Sequence, residues 1–334
     1  MYAPRTIFIL FLVLLSSLLT ATDQTLCDSL KTEIERDIAD SIRMRLLLDL
    51  AEVVGASDTL ASFTYLEQAK QVAEQLDDIR ALGRYYKIAG RVYARSGSYE
   101  EALLFYDRAL AYFHESEDHL NFFITIKQKG NVYLFRSDYT QAMNLYQTAL
   151  NYFKRNNMDM GVSHCLNNMG IIYKNRGEYV EALSVYQESV LYLDSSVHAY
   201  DIAQTYINMG NVFVHLGTYD RGLEYFTRAL EIAEGDNFQG IIALCLSNSG
   251  VVQNKIGKYD AALDLYQEAL NVSTSLNDPI LLSNCLINIG TNYASMGMLE
   301  KGLDFVRRGM KIKVELEDER TISNCYIHLA DIYI

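Results

Sequence analysis

Apolar residues recur along this chain at alternating steps of three and four. Around position 210, Tyr206, Met209, Phe213 and Leu216 share one helical face. Gly217-Thr218 breaks that helix. A second runs from Tyr219 through Phe226 and Leu230 to about Ala233, where Glu234-Gly235-Asp236-Asn237 supplies turn-forming residues. The spacing therefore predicts a pair of antiparallel helices. Two prolines in 334 residues, with Ala, Leu and Tyr abundant, agree with a helical chain.

The pair returns every forty residues. Glycine stands at Gly90, Gly130, Gly170, Gly210, Gly250 and Gly290, with Ala330 in the next slot. Three residues on come Tyr93, Tyr133, Tyr173, Phe213, Gln253, Tyr293 and Tyr333. Nine after each glycine stand Tyr99, Tyr139, Tyr179, Tyr219, Tyr259 and Leu299. Small residues follow at Ala102, Ala142, Ala182, Gly222, Ala262 and Gly302, then Tyr106, Tyr146, Tyr186, Phe226, Tyr266 and Val306. Small residues let the paired helices approach, and the rings fill the space that remains. One pair cannot bury its own apolar face, so neighbours must stack.

This order of small and aromatic positions resembles the tetratricopeptide repeat, whose usual unit is 34 residues. Tyr206-Ile207-Asn208-Met209-Gly210, then Phe213, Gly222, Phe226 and Ala229, follow its pattern, without the Trp of the fourth position. The 40-residue form resembles the repeats of kinesin light chain and of the Leu-Gly-Asn polarity adaptor, six extra residues being expected in the second helix and its turn. The resemblance implies an all-α fold, a right-handed α-solenoid (superhelix) of antiparallel helix pairs over residues 41–334. A diverged first repeat spans 41–80, with Leu50 at the glycine slot and Leu66 and Ala69 in its second helix. Six clear repeats fill about 81–318, and 319–334 makes a half repeat. The uncapped apolar end, Ala330-Asp331-Ile332-Tyr333-Ile334, is expected either to pair, allowing self-association, or to continue into further sequence.

Arg5 is the only charge before Asp23, and Ile7 to Leu19 is an apolar run too short to span a bilayer. Together with Thr20-Ala21-Thr22 it reads as a signal peptide over residues 1–22, leaving 23–40 as a lead-in. An extracytoplasmic protein follows, periplasmic or secreted, with a membrane anchor only if that segment stays uncleaved. Five cysteines in a secreted chain invite a disulfide reading. Four of them, Cys165, Cys245, Cys285 and Cys325, share one slot in different repeats, at least ~8 Å apart, beyond disulfide reach. They read as buried small hydrophobes. Cys27 is the odd thiol, open to pairing between chains.

Half the residues are apolar, which excludes a disordered chain, and 42 acids against 29 Lys and Arg argue against a nucleic-acid partner. No metal-ligand spacing, phosphate loop, nucleophile elbow or carboxylate pair is found, so no catalytic residue, metal or cofactor is assigned and an enzyme is not expected. The charge pattern is more informative. Thirteen-residue windows beginning at 84, 124, 164, 204, 244 and 284 contain ten Lys and Arg and no acid. In the tetratricopeptide family these first helices line the concave groove where extended peptides bind. Arg84, Lys87, Arg91 and Arg95 share a face with no acid nearby in sequence. Lys127, Asn131 and Asn168 resemble half of the carboxylate clamp of chaperone-binding domains, although Gln204 and Asn208 replace its further bases.

Asn168, Asn208, Asn248 and Asn288 each precede a repeat glycine by two. Such amides can bond a peptide backbone bidentately without reading its sequence, as in the asparagine ladder of kinesin light chain. The competing reading is that they bond between repeats. These residues point to a non-enzymatic interaction scaffold that holds an extended or acidic peptide, of a protein or peptide partner, in its groove. The alternatives are the ectodomain sensor half of a bacterial signalling protein, or a self-associating assembly factor of the envelope.

Overall fold

The computed structural model describes residues 21–315 apart from 37, 56–57 and 77. Most of the expected signal peptide, the half repeat 319–334, Cys325 and Tyr333 lie outside the described residues. Among the described residues the fold is all-α. Helix α1 (Ala21–Ile34) packs on α2 (Asp40–Val54), which pairs with α3 (Thr59–Gln75). Then come α4 (Ile79–Arg95) with α5 (Tyr99–Glu115), and α6 (His119–Phe135) with α7 (Tyr139–Arg155). Helices α8 (Asp159–Arg176) and α9 (Tyr179–Leu191) follow, then α10 (Ala199–His215) with α11 (Tyr219–Gly235). The last pairs are α12 (Gln239–Lys255) with α13 (Tyr259–Ser275), and α14 (Pro279–Ser295) with α15 (Leu299–Glu315). This is a solenoid architecture of antiparallel helix pairs. Its chain forms two compact units, Leu18–Ile172 and Tyr173–Ile334, divided inside α8.

The forty-residue period is filled by two helices of 17 residues and two three-residue turns, as in α4, α5, α6 and α7. The second helix and the turn after it are therefore no longer than their counterparts, contrary to the sequence expectation. The turns differ in chemistry. Within a pair, Gly97, Gly177, Gly217, Gly257 and Gly297 hold φ between 72° and 81°, where a side chain is disfavoured. Between pairs, Glu117, Asn157, Asn237 and Asn277 take φ between 50° and 57°, the left-handed region that Asn tolerates best. Aspartates cap several of the helices, Asp118 accepting from the N–H of Asn121 and Asp278 from those of Ile280 and Leu281. Only 13 residues of α9 are helical. Its continuation is replaced by an Asx turn in which Asp194 Oδ1 accepts from the N–H and the hydroxyl of Ser196.

Several of the pairs close on a ring. Phe226 lies against Gly210, and a Cβ built there would come within 2.5 Å of the ring. Gly250 stands likewise against Tyr266, at 2.6 Å. Tyr106, Tyr146, Tyr186 and Phe226 are almost wholly buried. In the first pair Leu50, Leu66 and Ala69 are buried without the glycine–ring contact. The thiols of Cys165, Cys245 and Cys285 are free and buried, and burial pushes Cys165 up to about 12 and Cys285 to about 11. Cys27 is buried too, in α1, so the expectation of a thiol presented to a second chain is not met.

The contact at Gly210 sets a measurable stability. Changing Gly210→Ala places a methyl into the Phe226 ring, a misfit of about 1–3 kcal/mol, offset by a helix-propensity gain of about 1 kcal/mol. Net destabilisation is expected in urea unfolding. Gly235→Ala, at the end of α11 with open space around the new methyl, is expected to be neutral or stabilising. Equal effects of the two substitutions would remove the packing explanation.

Candidate functional site

The first helix of each pair carries the candidate residues, so each unit holds its own polar set. In the N-terminal unit α4 presents Arg84, Lys87, Arg91 and Arg95. Its face is not free of acids, as the sequence windows suggested. Glu52 of α2 bonds Arg91 at 2.5 Å, and the Glu52 carbonyl accepts from Arg95 Nη1 at 3.0 Å. Glu52 belongs to the diverged first repeat, one period before the windows begin. Acids of second helices also reach back, Asp107 of α5 to Lys129 and Glu100 of α5 to Arg136 at 3.1 Å. Lys87 donates to Asn121 Oδ1 at 2.6 Å, and burial, reinforced by Arg91, pulls its ammonium down to about 8. Arg84 is exposed and bonds only the carbonyl of Arg80.

The half-clamp residues are brought together. Asn131 Oδ1 accepts from Tyr146 Oη at 2.7 Å and from Asn168 Nδ2 at 2.9 Å. Lys127 Nζ lies 3.3 Å from His164 Nδ1. Asn168 thus spends its donor on an amide one repeat away, fixing a ring-to-amide chain between the helices. One period later, the slot that Asn131 fills holds Ile171, and the buried hydroxyl of Tyr186 has no partner.

In the C-terminal unit, Asn208, Asn248 and Asn288 lie on α10, α12 and α14. Asn288 Nδ2 donates to Ser247 Oγ at 2.9 Å, so this amide also bonds across repeats, to a side chain rather than to backbone. A parallel link runs two slots past the glycines, from Asn254 Nδ2 to Asn292 Oδ1 at 2.7 Å and from Asn292 Nδ2 to the Tyr259 carbonyl. Asn208 is buried. Asn248 differs from the rest: its Nδ2 is buried and has no hydrogen-bond partner. An unmet buried donor is unfavourable by roughly 1–3 kcal/mol, so it marks a place where the chain has forgone stability.

Sequence reasoning counted Lys174 and Lys255 among the ten bases but did not single them out, and it passed over His215. Lys174 is only 7% exposed, in a slot that holds Ala94, Leu134, Val214, Asn254 and Ala294 in other repeats. Burial alone pulls its ammonium down to about 8. His215, stacked on Tyr179 with ring centroids 5.8 Å apart, is pulled down to about 4 by burial and then by Lys174 and Lys255. The signal was available in register: a lysine at a slot that is uncharged in the other repeats.

Among the described residues no helix is long and apolar enough to cross a membrane, and no group of three or more His, Cys, Asp or Glu is placed to hold a metal. Residues 201–275 match the family model of the tetratricopeptide repeat, and residues 59–210 match that of the soluble NSF attachment protein, SNAP. No curated protein matches the chain in sequence. Among solved structures, a Rap protein complexed with competence and sporulation factor is 17% identical with a TM-score of 0.64, over 96% of this chain and 94% of that one. Aspartyl phosphate phosphatase F from Bacillus subtilis is 14% identical with a TM-score of 0.62, over 97% and 91%. The apo form of the quorum sensor NprR from B. thuringiensis is 15% identical with a TM-score of 0.56, over 90% and 95%. At these identities the likeness is one of fold.

Two stability measurements separate the amides that hold the stack from those that do not. Asn168→Ala breaks the bond to Asn131 and is expected to destabilise by about 1 kcal/mol. Asn248→Ala removes an unmet donor and is expected to leave stability unchanged or raised. A loss at Asn248 as large as that at Asn168 would show that Asn248 has a structural partner after all.

Lys174 gives a pH signature. Its folded pKa lies below the ordinary 10.5, so the unfolded chain binds more protons at this site and the Lys174 contribution to stability rises with pH from about 8 towards about 9.5. The buried thiols Cys165, Cys245 and Cys285, held above their ordinary value, contribute in the opposite sense. Lys87 adds to the rise. Replacing Lys174→Met is expected to stabilise the protein at neutral pH by up to about 3 kcal/mol and to flatten that rise. An unchanged slope in urea titrations at stepped pH would rule out a charged, buried Lys174.

Proposed function

Because the chain is a tetratricopeptide-repeat protein, we propose that it is a non-enzymatic interaction scaffold that binds an extended peptide segment along its first helices. The observation that carries this reading is the asparagine set Asn168, Asn208, Asn248 and Asn288 in repeat register, with the Asn248 amide left without a protein partner. A peptide backbone offers alternating carbonyls and N–H groups, and a side-chain amide can satisfy both. Lys127 and Asn131 supply a polar patch of the same kind in the N-terminal unit. The similar fold of a Rap protein complexed with competence and sporulation factor supports the assignment by analogy.

The bases of α4 enter the proposal in modified form. Arg91 and Arg95 are tied to Glu52, so they position the first pairs, while Arg84 and Lys87 remain the residues of that helix for an acidic segment. The location we propose is extracytoplasmic, supported by the N-terminal apolar run with its single base. A sensor role is the second reading, favoured by the fold likeness to a quorum sensor.

Display of a random peptide library against the full chain tests the scaffold reading. Selected peptides are expected to lose affinity about tenfold or more on Asn248→Ala, a variant whose stability is held or improved. Peptides that bind wild type and Asn248→Ala equally, or a library that yields none, would overturn it.

A further inference from the structure

The ten bases of the first helices do not share one fate. Arg91, Lys129 and Arg136 are ion-paired, Arg95 bonds a carbonyl, Lys87 an amide, and Lys127 lies against His164. Among the described residues Lys174 and Lys255 have neither an acid nor a hydrogen-bond partner. Both belong to the C-terminal unit, and both act on one residue, His215. Lys174 lies in the last turn of α8, while His215 and Lys255 are the final residues of α10 and α12. The three therefore occupy adjoining slots, four or five residues past the glycine, in consecutive repeats. Tyr179 backs His215 through the stacked ring.

A helix C-terminus attracts a cation, and that is enough to explain the exposed Lys255. It is not enough for Lys174. Burying an ammonium is far more unfavourable than a helix end is attractive, and such a group normally has an acid beside it. Other repeats avoid the problem by placing an uncharged residue in that slot: Ala, Leu, Val or, at position 254, Asn. The charges acting on His215 are likewise both positive. A cluster of bases that no acid among the described residues reaches is a place prepared for an anion from outside.

We infer that Lys174, His215 and Lys255 form a carboxylate-binding subsite, which takes an acidic side chain or the terminal carboxylate of the bound peptide. The inference rests on the scaffold reading and names the partner's chemistry. Lys174 and Lys255 supply charge, and the neutral imidazole of His215 donates from one ring nitrogen. A carboxylate held there replaces the missing acid, so binding relieves the burial of Lys174 and raises the proton affinity of His215. Asn248, on the same helix as Lys255, is placed to hold backbone next to it.

The test uses the full chain and three fluorescein-labelled probes read by anisotropy at about 0.15 M salt, where long-range attraction between exposed charges is screened. Hexaglutamate amide presents side-chain carboxylates, hexaglutamine with a free C-terminus presents a terminal one, and hexaglutamine amide presents neither. One or both carboxylate probes are expected to bind at least tenfold tighter than the blank, and which of them does so identifies the source. Lys255→Glu, at an exposed side chain, is expected to abolish that preference, Lys174→Met to weaken it at least tenfold, and Lys311→Glu, an equal charge change on α15, to leave it intact. On saturation with the binding probe, the His215 titration followed by NMR is expected to move up from about 4. Binding no tighter than the blank, equal losses for Lys255→Glu and Lys311→Glu, or an unmoved His215 would overturn the subsite. If non-acidic peptides still depend on Asn248 while these probes fail, only the subsite falls and the scaffold stands.

Discussion

The paired helices meet where a glycine faces a ring. At Gly210 the missing Cβ leaves room for Phe226, and at Gly250 for Tyr266, with distances no side chain could share. That approach brings the paired helices together over their whole length. It leaves the opposite face of the first helix uncovered by its own partner, to be met by the next pair or by a ligand. The forty-residue period follows, since two 17-residue helices of equal length need only three-residue reversals to repeat the contact. The left-handed turn residues serve the same end: glycine inside the pair and, between most pairs, asparagine keep the reversals short.

Charge is organised by the same geometry. Acids on second helices and turns keep the chain strongly negative, with a net charge of −13, yet some of them return to the first helices. Asp107 reaches Lys129 and Glu100 reaches Arg136, each from a second helix to a first helix of a neighbouring repeat. Surface pairs of this kind contribute little stability. Their effect is selective neutralisation: bases within reach of such an acid become part of the stack, and bases out of reach keep their charge for something else.

The repeat was legible because period, glycine slot and ring slot are all one-dimensional, and spacing alone carries them. The burial of Cys165, Cys245 and Cys285 was legible for the same reason. The bonding of the site was not. Arg91 looked free because its partner, Glu52, sits in a repeat that has lost the glycine and its ring, and so escaped the windows that defined the face. Asn168 and Asn288 looked alike in register, yet one bonds Asn131 and the other Ser247, choices made by whatever polar atom the neighbouring helix presents. Side-chain pairing across repeats depends on two residues about forty apart, and neither alone reveals it.

What the register does reveal is its own exceptions. A repeat protein states its structural needs many times over, so a slot filled consistently with one kind of residue defines what stability asks of that position. Gln253 stands where Tyr93, Tyr133, Tyr173, Phe213, Tyr293 and Tyr333 occupy the other repeats, and its Oε1 is buried without a partner. Lys174 stands where other repeats have alanine, leucine, valine or asparagine, and it is buried without an acid. Asn248 keeps the consensus residue but lacks the hydrogen bond that Asn168 and Asn288 make. All three lie in the C-terminal unit, on α8 and α12. Departures that weaken a fold persist where they serve another purpose. Their clustering on two first helices argues that binding, rather than packing, shaped this part of the chain.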